Sequence, residues 1–343
     1  MAADPSQATP RHINDQVYGM IDIPPYAMRV VATAQFQRLH RVRQLGNLIR
    51  AWPSAVHTRF SHSIGTMHLA EDIGRRLEFT PKESQVFVLA ALLHDIGHGP
   101  YSHAFETAIE GNECMAREFK THDDYRCRLL VEDAELSAAV TPHRDAIISI
   151  WNDRIEGDPE LPINMIHILH ALIAGCAGVD RLDYIMRDMT WTTPQRRIDR
   201  TCIQSIIRET KIDRDRGVVV YTADGHHFIK QLLAEREYLY REVYSHARAV
   251  SADRMLAEAM REGLADKVCP LVASVDRFIQ LDDTFVVQQA FNPELPERAR
   301  AVLLDLIRGR IPRVEDGGDR TANKCLELDI VHCVFEDQGP KVL

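Results

Sequence analysis

Six of the 16 histidines lie between positions 57 and 103, a density that marks this stretch for chemistry: His57, His62, His68, His94, His98 and His103. His94 is followed directly by Asp95 at the end of an apolar run, and a glycine- and proline-rich break at 97–100 comes next. Neighbouring residues in a regular helix point about 100° apart, so these two side chains can converge on one ion only where the helix ends. A buried imidazole beside a carboxylate is costly unless it is paired or metal-bound.

Two further residues are the natural partners of the His94-Asp95 pair. They are His62, in the segment HTRFSHSIG, and Asp180, in GVDRLDYIMRD. Each residue taken alone is more commonly a satisfied core or capping group, but the four together favour a metal site. Two imidazoles and two carboxylates would hold one divalent ion and leave positions for water. Mn, Fe, Mg, Zn, Ni and Co are not distinguished by the sequence.

The elements that must position these residues are mostly helices. Thr80, Pro81 and Glu83 form an N-terminal capping signature before the run VFVLAALL, which is apolar on nearly every side and predicts a central helix. Near Gly217 the spacing of apolar residues is no longer helical, and the pattern predicts a small β-hairpin. We predict a mainly α fold, a helical bundle with this hairpin and a smaller mixed α/β C-terminal part. Other predicted helices are 28–50, 62–77, 163–177, 178–188 and 228–260.

The predicted organisation is a flexible N-terminus at 1–14, a core at 15–252 and a C-terminal subdomain at 253–343 packed on that core. The chain has 343 residues, of which 41 are Lys or Arg and 50 are Asp or Glu, so its formal net charge is −9. This charge argues against a surface that binds nucleic acid throughout. No apolar run approaches the roughly 20 residues that span a bilayer, and the seven cysteines include no CxxC. We therefore predict a cytoplasmic protein with reduced, buried thiols and no membrane partner.

The ordered residues His62, His94-Asp95 and Asp180 resemble the H…HD…D signature of the HD-domain phosphohydrolases. The flanking segments resemble a narrower group, the deoxynucleoside triphosphate (dNTP) triphosphohydrolases, which include bacterial dGTPases and the animal SAM-and-HD-domain enzyme. The resemblance covers roughly residues 15 to 314 and implies an HD-domain bundle that converts a dNTP to a deoxynucleoside and tripolyphosphate. The segments that carry it are QFQRLHRVRQLG (35–46), HTRFSHSIG (57–65), LLHDIGHGPYSHAFE (92–106) and GVDRLDYIMRD (178–188).

The resemblance also implies how the substrate is bound. Arg59, Arg181 and Arg236 would contact the phosphates, and the pair Gln44-Leu45 would lie near the base and sugar. Asp180, Tyr184 and Asp188 recur every four residues and so line one helical face. By resemblance, the tyrosine packs on the sugar and Asp188 takes its 3′-hydroxyl. Tyr244 would pack at the sugar 2′-carbon and exclude a ribose hydroxyl, whereas Tyr240 is interpreted as core packing.

Cleavage at the α-phosphorus requires a proton for the departing 5′-oxygen, and histidine can supply it near neutral pH. His98 and His103 flank the Gly-Pro turn outside the predicted ligand set. The resemblance makes His103 the acid, oriented by Glu106 and His122. The family examples carry Asp at the Glu106 position, so the extra methylene shifts the carboxylate.

The chain departs from the animal enzyme at its guanine activator site, where Ala32 and His40 replace an Asp and an Arg. Activation of that kind is not expected. A homo-oligomer, either a dimer or a tetramer, is predicted, and single-stranded nucleic acid is a further candidate partner. The alternative function is an HD-type hydrolase of nucleoside monophosphates, cyclic dinucleotides or single-stranded nucleic acid ends. A non-catalytic nucleotide-sensing protein is disfavoured because all four ligands and His103 are present.

Overall fold

The computed structural model describes residues 12–110, 112–312 and 334–335, and they form a mainly α fold, as predicted. The α-helices of the first half are Pro25–Val31 (α1), Ala34–Arg38 (α2), Arg59–Arg76 (α3), Pro81–Leu93 (α4), His103–Ile109 (α5), Glu113–Glu118 (α6), His122–Glu132 (α7), Ala134–Val140 (α8) and Arg144–Asn152 (α9). Those of the second half are Ile163–Ala174 (α10), Val179–Thr192 (α11), Arg200–Glu209 (α12), Ala223–Tyr238 (α13), Ala247–Ala259 (α14), Ala265–Val272 (α15), Val275–Phe278 (α16), Asp283–Gln289 (α17) and Glu297–Ile307 (α18). Short 3₁₀ turns span Leu39–Arg41 and Gly46–Arg50, and π-helical turns span Leu239–Tyr244 and Met260–Leu264.

Helix α4 is the centre of the bundle, as the capping signature and apolar run predict. The Thr80 hydroxyl accepts the amide of Glu83, whose carboxylate accepts the amide of Thr80. Every residue from Val86 to Leu93 is at most 1% exposed. The helix packs on α3 and α9 and delivers His94, its C-terminal cap, to the middle of the protein.

The prediction of one helix over residues 28–50 is wrong. The chain leaves the helical conformation at Thr33, whose hydroxyl caps α2 by accepting the amide of Phe36 at 3.3 Å. Beyond α2 it continues only as 3₁₀ turns, and Gly46 has a φ of +47°. The apolar residues whose spacing suggested one helix instead belong to short segments that pack on α3 and α4.

Arg38 anchors this bend to the turn that ends α4. Arg38 is fully buried, with 0% of its surface exposed. The guanidinium donates to the carbonyl oxygens of Ile96 and His98, both at 2.8 Å, and of Leu281 at 3.0 Å. Because a buried cation needs such partners, the bend and the turn after the His-Asp pair are held together.

The strands form two small sheets. His12–Asp15 (β1) pairs antiparallel with Gly19–Asp22 (β2), and β1 begins inside the segment predicted as the N-terminal lead-in. Thr210–Asp213 (β3) and Val218–Tyr221 (β4) form the predicted hairpin, and Val334–Phe335 (β5) adds in parallel to β4. The predicted strand CLELDIVHCVF lies otherwise outside the described residues.

The stretch Ile163–Thr192 is long and apolar enough to cross a membrane by length and composition, contrary to the prediction that no such run exists. It comprises α10 and α11, which are separated at Gly175–Gly178. In its most apolar window 56% is buried inside the protein, as expected for core helices that pack on each other.

The prediction that the cysteines are reduced is wrong for Cys114, Cys176 and Cys269, which are disulfide-bonded. Cys114 of α6 and Cys269 of α15 form a disulfide, with their Cα atoms 6.4 Å apart. The two residues are 155 positions apart, so only the packing of α6 on α15 brings them together. Among the described residues, Cys127 and Cys202 are free thiols.

A partly buried carboxylate on α3 makes stability depend on pH. Burial raises the pKa of Glu71 to about 7, above the value near 4.3 expected in the unfolded chain. Between these values the folded state holds more protons, so this residue's contribution to stability falls as pH rises. Glu71→Gln is therefore expected to stabilise the protein at pH 8, by about 1–2 kcal/mol because solvent screens part of the shift, with a smaller gain at pH 5.5.

Thermal unfolding at the two pH values measures this effect. The matched control is Glu237→Gln, at an exposed position of α13. An equal change in melting temperature at both pH values, or an equal change in both variants, would contradict the assigned origin.

Candidate functional site

The four predicted metal-binding residues meet at one point. His62 projects from α3, His94 and Asp95 from the end of α4, and Asp180 from the first turn of α11. The Nε2 atoms of His62 and His94 are 3.2 Å apart. Asp180 Oδ1 lies 3.1 Å from His62 Nε2 and 3.5 Å from His94 Nε2. The two Asp95 oxygens each lie 3.4 Å from one of these nitrogens.

The hydrogen bonds of the two imidazoles show that a cation fits between them. His94 Nδ1 is 2.7 Å from the carbonyl oxygen of Ala91, so this nitrogen carries the proton. His62 Nδ1 is 2.7 Å from Asp183 Oδ2 and donates in the same way. The two Nε2 atoms therefore face each other and nearby carboxylate oxygens, an arrangement that a shared cation, either a proton or a metal ion, makes favourable.

The pKa of His62 also indicates that a cation fits between the two imidazoles. Burial disfavours the imidazolium, but hydrogen bonds to Asp180 and Asp183 outweigh it and raise the pKa to about 10. A proton thus takes the cation's place when no metal is present. Two nitrogens and two carboxylates are donors suited to a divalent first-row transition metal or to Mg²⁺.

Behind His62 lies a buried network that sequence reasoning missed. Arg187 donates to both oxygens of Asp183, at 2.8 and 2.9 Å, and to Asp15 at 2.8 Å. A Cβ at Gly65 would overlap the Asp183 carboxylate, so this glycine makes room for it. The available signal was the i, i+4 spacing of Asp183 and Arg187 within GVDRLDYIMRD, which predicts an ion pair along one helix.

We expect Asp183→Asn to weaken metal binding about 10–100-fold, because the carboxylate that sets the His62 tautomer is lost. Titration of the metal-free protein against a chelator of known affinity measures the change. Asp15→Asn is the matched control, since Asp15 holds Arg187 but does not touch His62. Wild-type affinity in Asp183→Asn, or equal losses in both variants, would contradict a role in orienting His62.

Arg59, predicted to bind phosphate, is already paired. The guanidinium contacts the Asp95 carboxylate, and its Nε donates to Ser102 Oγ at 2.9 Å. The residue is 4% exposed and still borders the cavity described below. Arg59, at the start of α3, therefore holds the Asp95 carboxylate in place and puts a positive charge beside the predicted metal site.

His98, His103 and His122 lie together beside the turn that follows α4. The rings of His98 and His122 stack with centroids 3.7 Å apart, and His122 Nδ1 lies 2.6 Å from Glu106 Oε1. His103 Nδ1 is 3.9 Å from the same oxygen, so Glu106 orients His122 more directly than His103. The longer glutamate therefore still reaches the cluster.

His103 differs from its neighbours in exposure. Its side chain is 71% exposed, whereas that of His98 is 1% exposed. Partial desolvation within the cavity, followed by the positive charges of Arg59 and His122, lowers the pKa of His103. Solvent in the cavity moderates this shift. With no anion present, His103 is a neutral imidazole at pH 7 that a ligand can reach.

A second cluster of polar side chains lies near the C-terminal end of α11. Asp188 is 1% exposed, and its oxygens accept from Tyr244 Oη at 2.5 Å and contact His57 Nε2 at 2.7 Å. Arg236 Nε donates to Tyr184 Oη at 2.9 Å. His57 was counted among the clustered histidines but not assigned to the site, and its contact with Asp188 could not be read from spacing.

Tyr240, interpreted as core packing, instead borders the open space. Its ring lies 5.0 Å from that of Tyr244 and 4.7 Å from the Arg236 guanidinium. All predicted site residues except His62 and Glu106 line one cavity of about 640 Å³: Gln44, Leu45, Arg59, His94, Asp95, His98, His103, His122, Asp180, Arg181, Tyr184, Asp188, Arg236, Tyr240 and Tyr244.

The comparisons with known proteins agree with this arrangement. The HD domain family matches residues 59–171. A Dictyostelium discoideum protein named deoxynucleoside triphosphate triphosphohydrolase SAMHD1 homolog is 28% identical over 98% of this chain and 70% of its own length. The bovine SAMHD1 triphosphohydrolase is 26% identical over 90% of this chain. The chain spans only 56% of that bovine relative.

A solved structure has the same architecture. A phosphohydrolase from Bacteroides thetaiotaomicron superposes with a TM-score of 0.70 at 28% identity, covering 89% of this chain and 78% of its own. The family match begins at Arg59 and includes His62 and the His94-Asp95 pair, which α3 and α4 bring together with Asp180. The part of the chain that matches the HD domain family therefore supplies three of the four residues of this cluster.

Proposed function

We propose that this protein is a metal-dependent hydrolase that converts a dNTP to a deoxynucleoside and tripolyphosphate. The observation that carries the proposal is that a cation-binding cluster and the Asp188–Tyr244 pair open into one cavity. Asp180 and Asp188 lie two turns apart on α11, about 12 Å along the helix axis. A nucleotide whose phosphates contact the first group can place its sugar near the second.

In this proposal His62, His94, Asp95 and Asp180 hold one divalent ion. When bound, such an ion polarises a phosphoryl oxygen and lowers the pKa of water. Asp183 and Arg59 keep two of the four residues in position. Arg181 and Arg236, which border the same cavity, supply the positive charge that a triphosphate needs in a chain of net charge −9.

The sugar would be selected by the group at the far end of α11. Asp188 accepts the Tyr244 hydroxyl and is placed to take a sugar 3′-hydroxyl in the same way. The Tyr244 ring then lies against the sugar, and its volume leaves no room for a ribose 2′-hydroxyl. Exclusion by volume gives selectivity for deoxynucleotides without a hydrogen bond to the missing group.

His103 would supply the proton that the leaving group requires. About four negative charges on a bound triphosphate oppose the desolvation that keeps this imidazole neutral, and so raise its pKa. Water adds to the α-phosphorus and gives up one proton to solvent, the bond from phosphorus to the 5′-oxygen breaks, and the imidazolium proton moves to that oxygen. His122, held by Glu106, lies beside the ring.

A product assay tests the proposal. Each dNTP alone, and then all four mixed, is incubated with the protein and Mn²⁺ or Mg²⁺, and products are separated by anion exchange. We expect deoxynucleoside and tripolyphosphate in equal amounts. Cleavage of nucleoside monophosphates, cyclic dinucleotides or single-stranded oligonucleotides, with no release from any dNTP, would contradict the triphosphate assignment and favour the alternative hydrolase.

Comparison of single and mixed nucleotides also tests activation. His40 stacks on Phe60 with ring centroids 3.5 Å apart, so this side chain is engaged in packing. We therefore expect no guanine-nucleotide requirement of the animal type. The homo-oligomer and the cytoplasmic location stay predictions, and light scattering of the purified chain measures the former.

A further inference from the structure

One buried histidine has no part in the chemistry proposed above. The side chains of His57 and Asp188 are 1% and 2% exposed, and His57 Nε2 lies 2.7 Å from Asp188 Oδ1. Because an ionised carboxylate can only accept, Nε2 carries the proton and donates it. His57 Nδ1 is buried and has no hydrogen-bond partner among the described residues. Within that part of the chain, Asp188 is therefore the one polar partner of this ring.

Packing alone would be served by an apolar ring at position 57. The imidazole is stacked on Trp191, with ring centroids 5.9 Å apart and planes 13° apart. Trp191 belongs to α11, as does Asp188. A buried nitrogen without a partner costs free energy, which a phenyl ring would avoid. The hydrogen bond to Asp188 explains why a histidine occupies this position.

The two oxygens of Asp188 have different kinds of partner. Oδ2 accepts from Tyr244 Oη at 2.5 Å, and both of these residues line the cavity. Oδ1 accepts from His57, which is not one of the lining residues. A ligand in the cavity can compete with the tyrosine hydroxyl, but it does not reach the bond from His57. This bond therefore keeps the carboxylate oriented when a sugar binds.

The segment that carries His57 also carries a residue of the metal cluster. His57 directly precedes Thr58, the N-cap of α3, and His62 lies within that helix. His62 Nε2 is 3.1 Å from Asp180 Oδ1 at the start of α11, whereas His57 contacts Asp188 about two turns further along. Two His–Asp contacts thus hold α11 against one short segment. They fix the separation between the cation cluster and the Asp188 carboxylate.

We propose that His57 is a positioning residue, which holds the Asp188 carboxylate to accept the 3′-hydroxyl of the substrate sugar. The inference rests on the function proposed above and adds the group that orients its sugar contact. The critical comparison is a dNTP against the matching 2′,3′-dideoxynucleotide, which lacks only this hydroxyl. One hydrogen bond to a charged acceptor corresponds to a preference of about 10–100-fold in kcat/KM.

The experiment measures kcat/KM for the best dNTP substrate and its 2′,3′-dideoxy analogue with the wild-type protein, His57→Phe and His57→Gln. Phenylalanine keeps a ring that can stack on Trp191 but has no donor, whereas glutamine loses the ring but keeps an N–H near the position of Nε2. We expect the dNTP:ddNTP ratio to fall close to one in His57→Phe, through a loss of about 10–100-fold on the dNTP. His57→Gln should retain most of the wild-type ratio. A role in packing alone would harm His57→Gln more than His57→Phe.

The ratio compares two substrates on one preparation, so a smaller folded fraction in a variant does not change it. Bis(4-nitrophenyl) phosphate has no sugar, and His57→Phe should cleave it at the wild-type rate per metal-containing chain. His68→Phe is the matched control, because it replaces another histidine of the same region whose Nε2 faces Asp72 at 3.7 Å. This control should keep the wild-type dNTP:ddNTP ratio.

The outcomes separate the two proposals. Equal wild-type rates on the dNTP and its dideoxy analogue, with tripolyphosphate as the product, overturn the role of His57 and leave the triphosphohydrolase standing. An unchanged ratio in His57→Phe, or a larger loss of the ratio in His57→Gln than in His57→Phe, also overturns it. Absence of tripolyphosphate from every dNTP overturns the proposed function, and the positioning role falls with it.

Discussion

Asp95→Asn is expected to abolish both bound metal and turnover. Asp95 Oδ1 and Oδ2 face the Nε2 atoms of His94 and His62, and the carboxylate also neutralises the buried Arg59. An amide keeps the shape but removes the negative charge that a divalent ion requires. Because a catalytic ion contributes several kcal/mol of transition-state stabilisation, activity should fall by about a thousand-fold or more.

Metal content per chain, determined by mass spectrometry after gel filtration, is measured beside the rate. Asp72→Asn, on the exposed side of α3 beside Arg75, is the control and should keep both values. Thermal unfolding of Asp95→Asn identifies any loss caused by Arg59 becoming unpaired. Full metal content with lost turnover would contradict the ligand role of Asp95, and full turnover would contradict the site.

His103→Gln is expected to lower dNTP hydrolysis by about 10²–10⁴-fold, the usual contribution of a positioned general acid. The 5′-alkoxide of a nucleoside is strongly basic and must be protonated as it leaves. The 4-nitrophenolate released from bis(4-nitrophenyl) phosphate is a weak base and leaves without help. The variant should therefore lose less than about tenfold on this second substrate, which separates proton donation from binding of the metal or phosphate.

His170→Gln is the matched control, because His170 lines the same cavity and donates from Nδ1 to the carbonyl oxygen of Ile150. It should alter neither substrate's rate by more than a few-fold. Equal losses on both substrates in His103→Gln would indicate that the histidine positions the phosphate or the metal. No loss on either substrate would exclude it from the reaction.

Local sequence patterns were sufficient for the framework of the site. The capping signature at Thr80 and the all-round apolar run predict α4, and the glycines after Asp95 predict where it ends. The spacing of Asp180, Tyr184 and Asp188 places them on one helical face, which α11 confirms. These features depend on residues three or four apart, whose relative positions are set by helix geometry alone.

Long-range contacts account for what sequence reasoning missed. The helix predicted over 28–50 is broken at Thr33, and the bend that follows is held by Arg38, which binds carbonyl oxygens 58 and 243 positions away. The resemblance places Arg59 on a phosphate, and the structure shows in addition that Asp95 pairs with it across 36 positions. Periodicity records which face of a helix is apolar but not which distant polar group will meet a buried charge.

The sequence by itself therefore determined the type of fold and which four His and Asp residues meet in one cluster, because residue types, capping and helical period are local properties. Only the tertiary structure decided how the site residues are held: Asp183 behind His62 and His57 behind Asp188. Such pairs are selected by burial. A polar group removed from water must find a partner within hydrogen-bond distance, and the packing of helices distant in the chain fixes which partner that is.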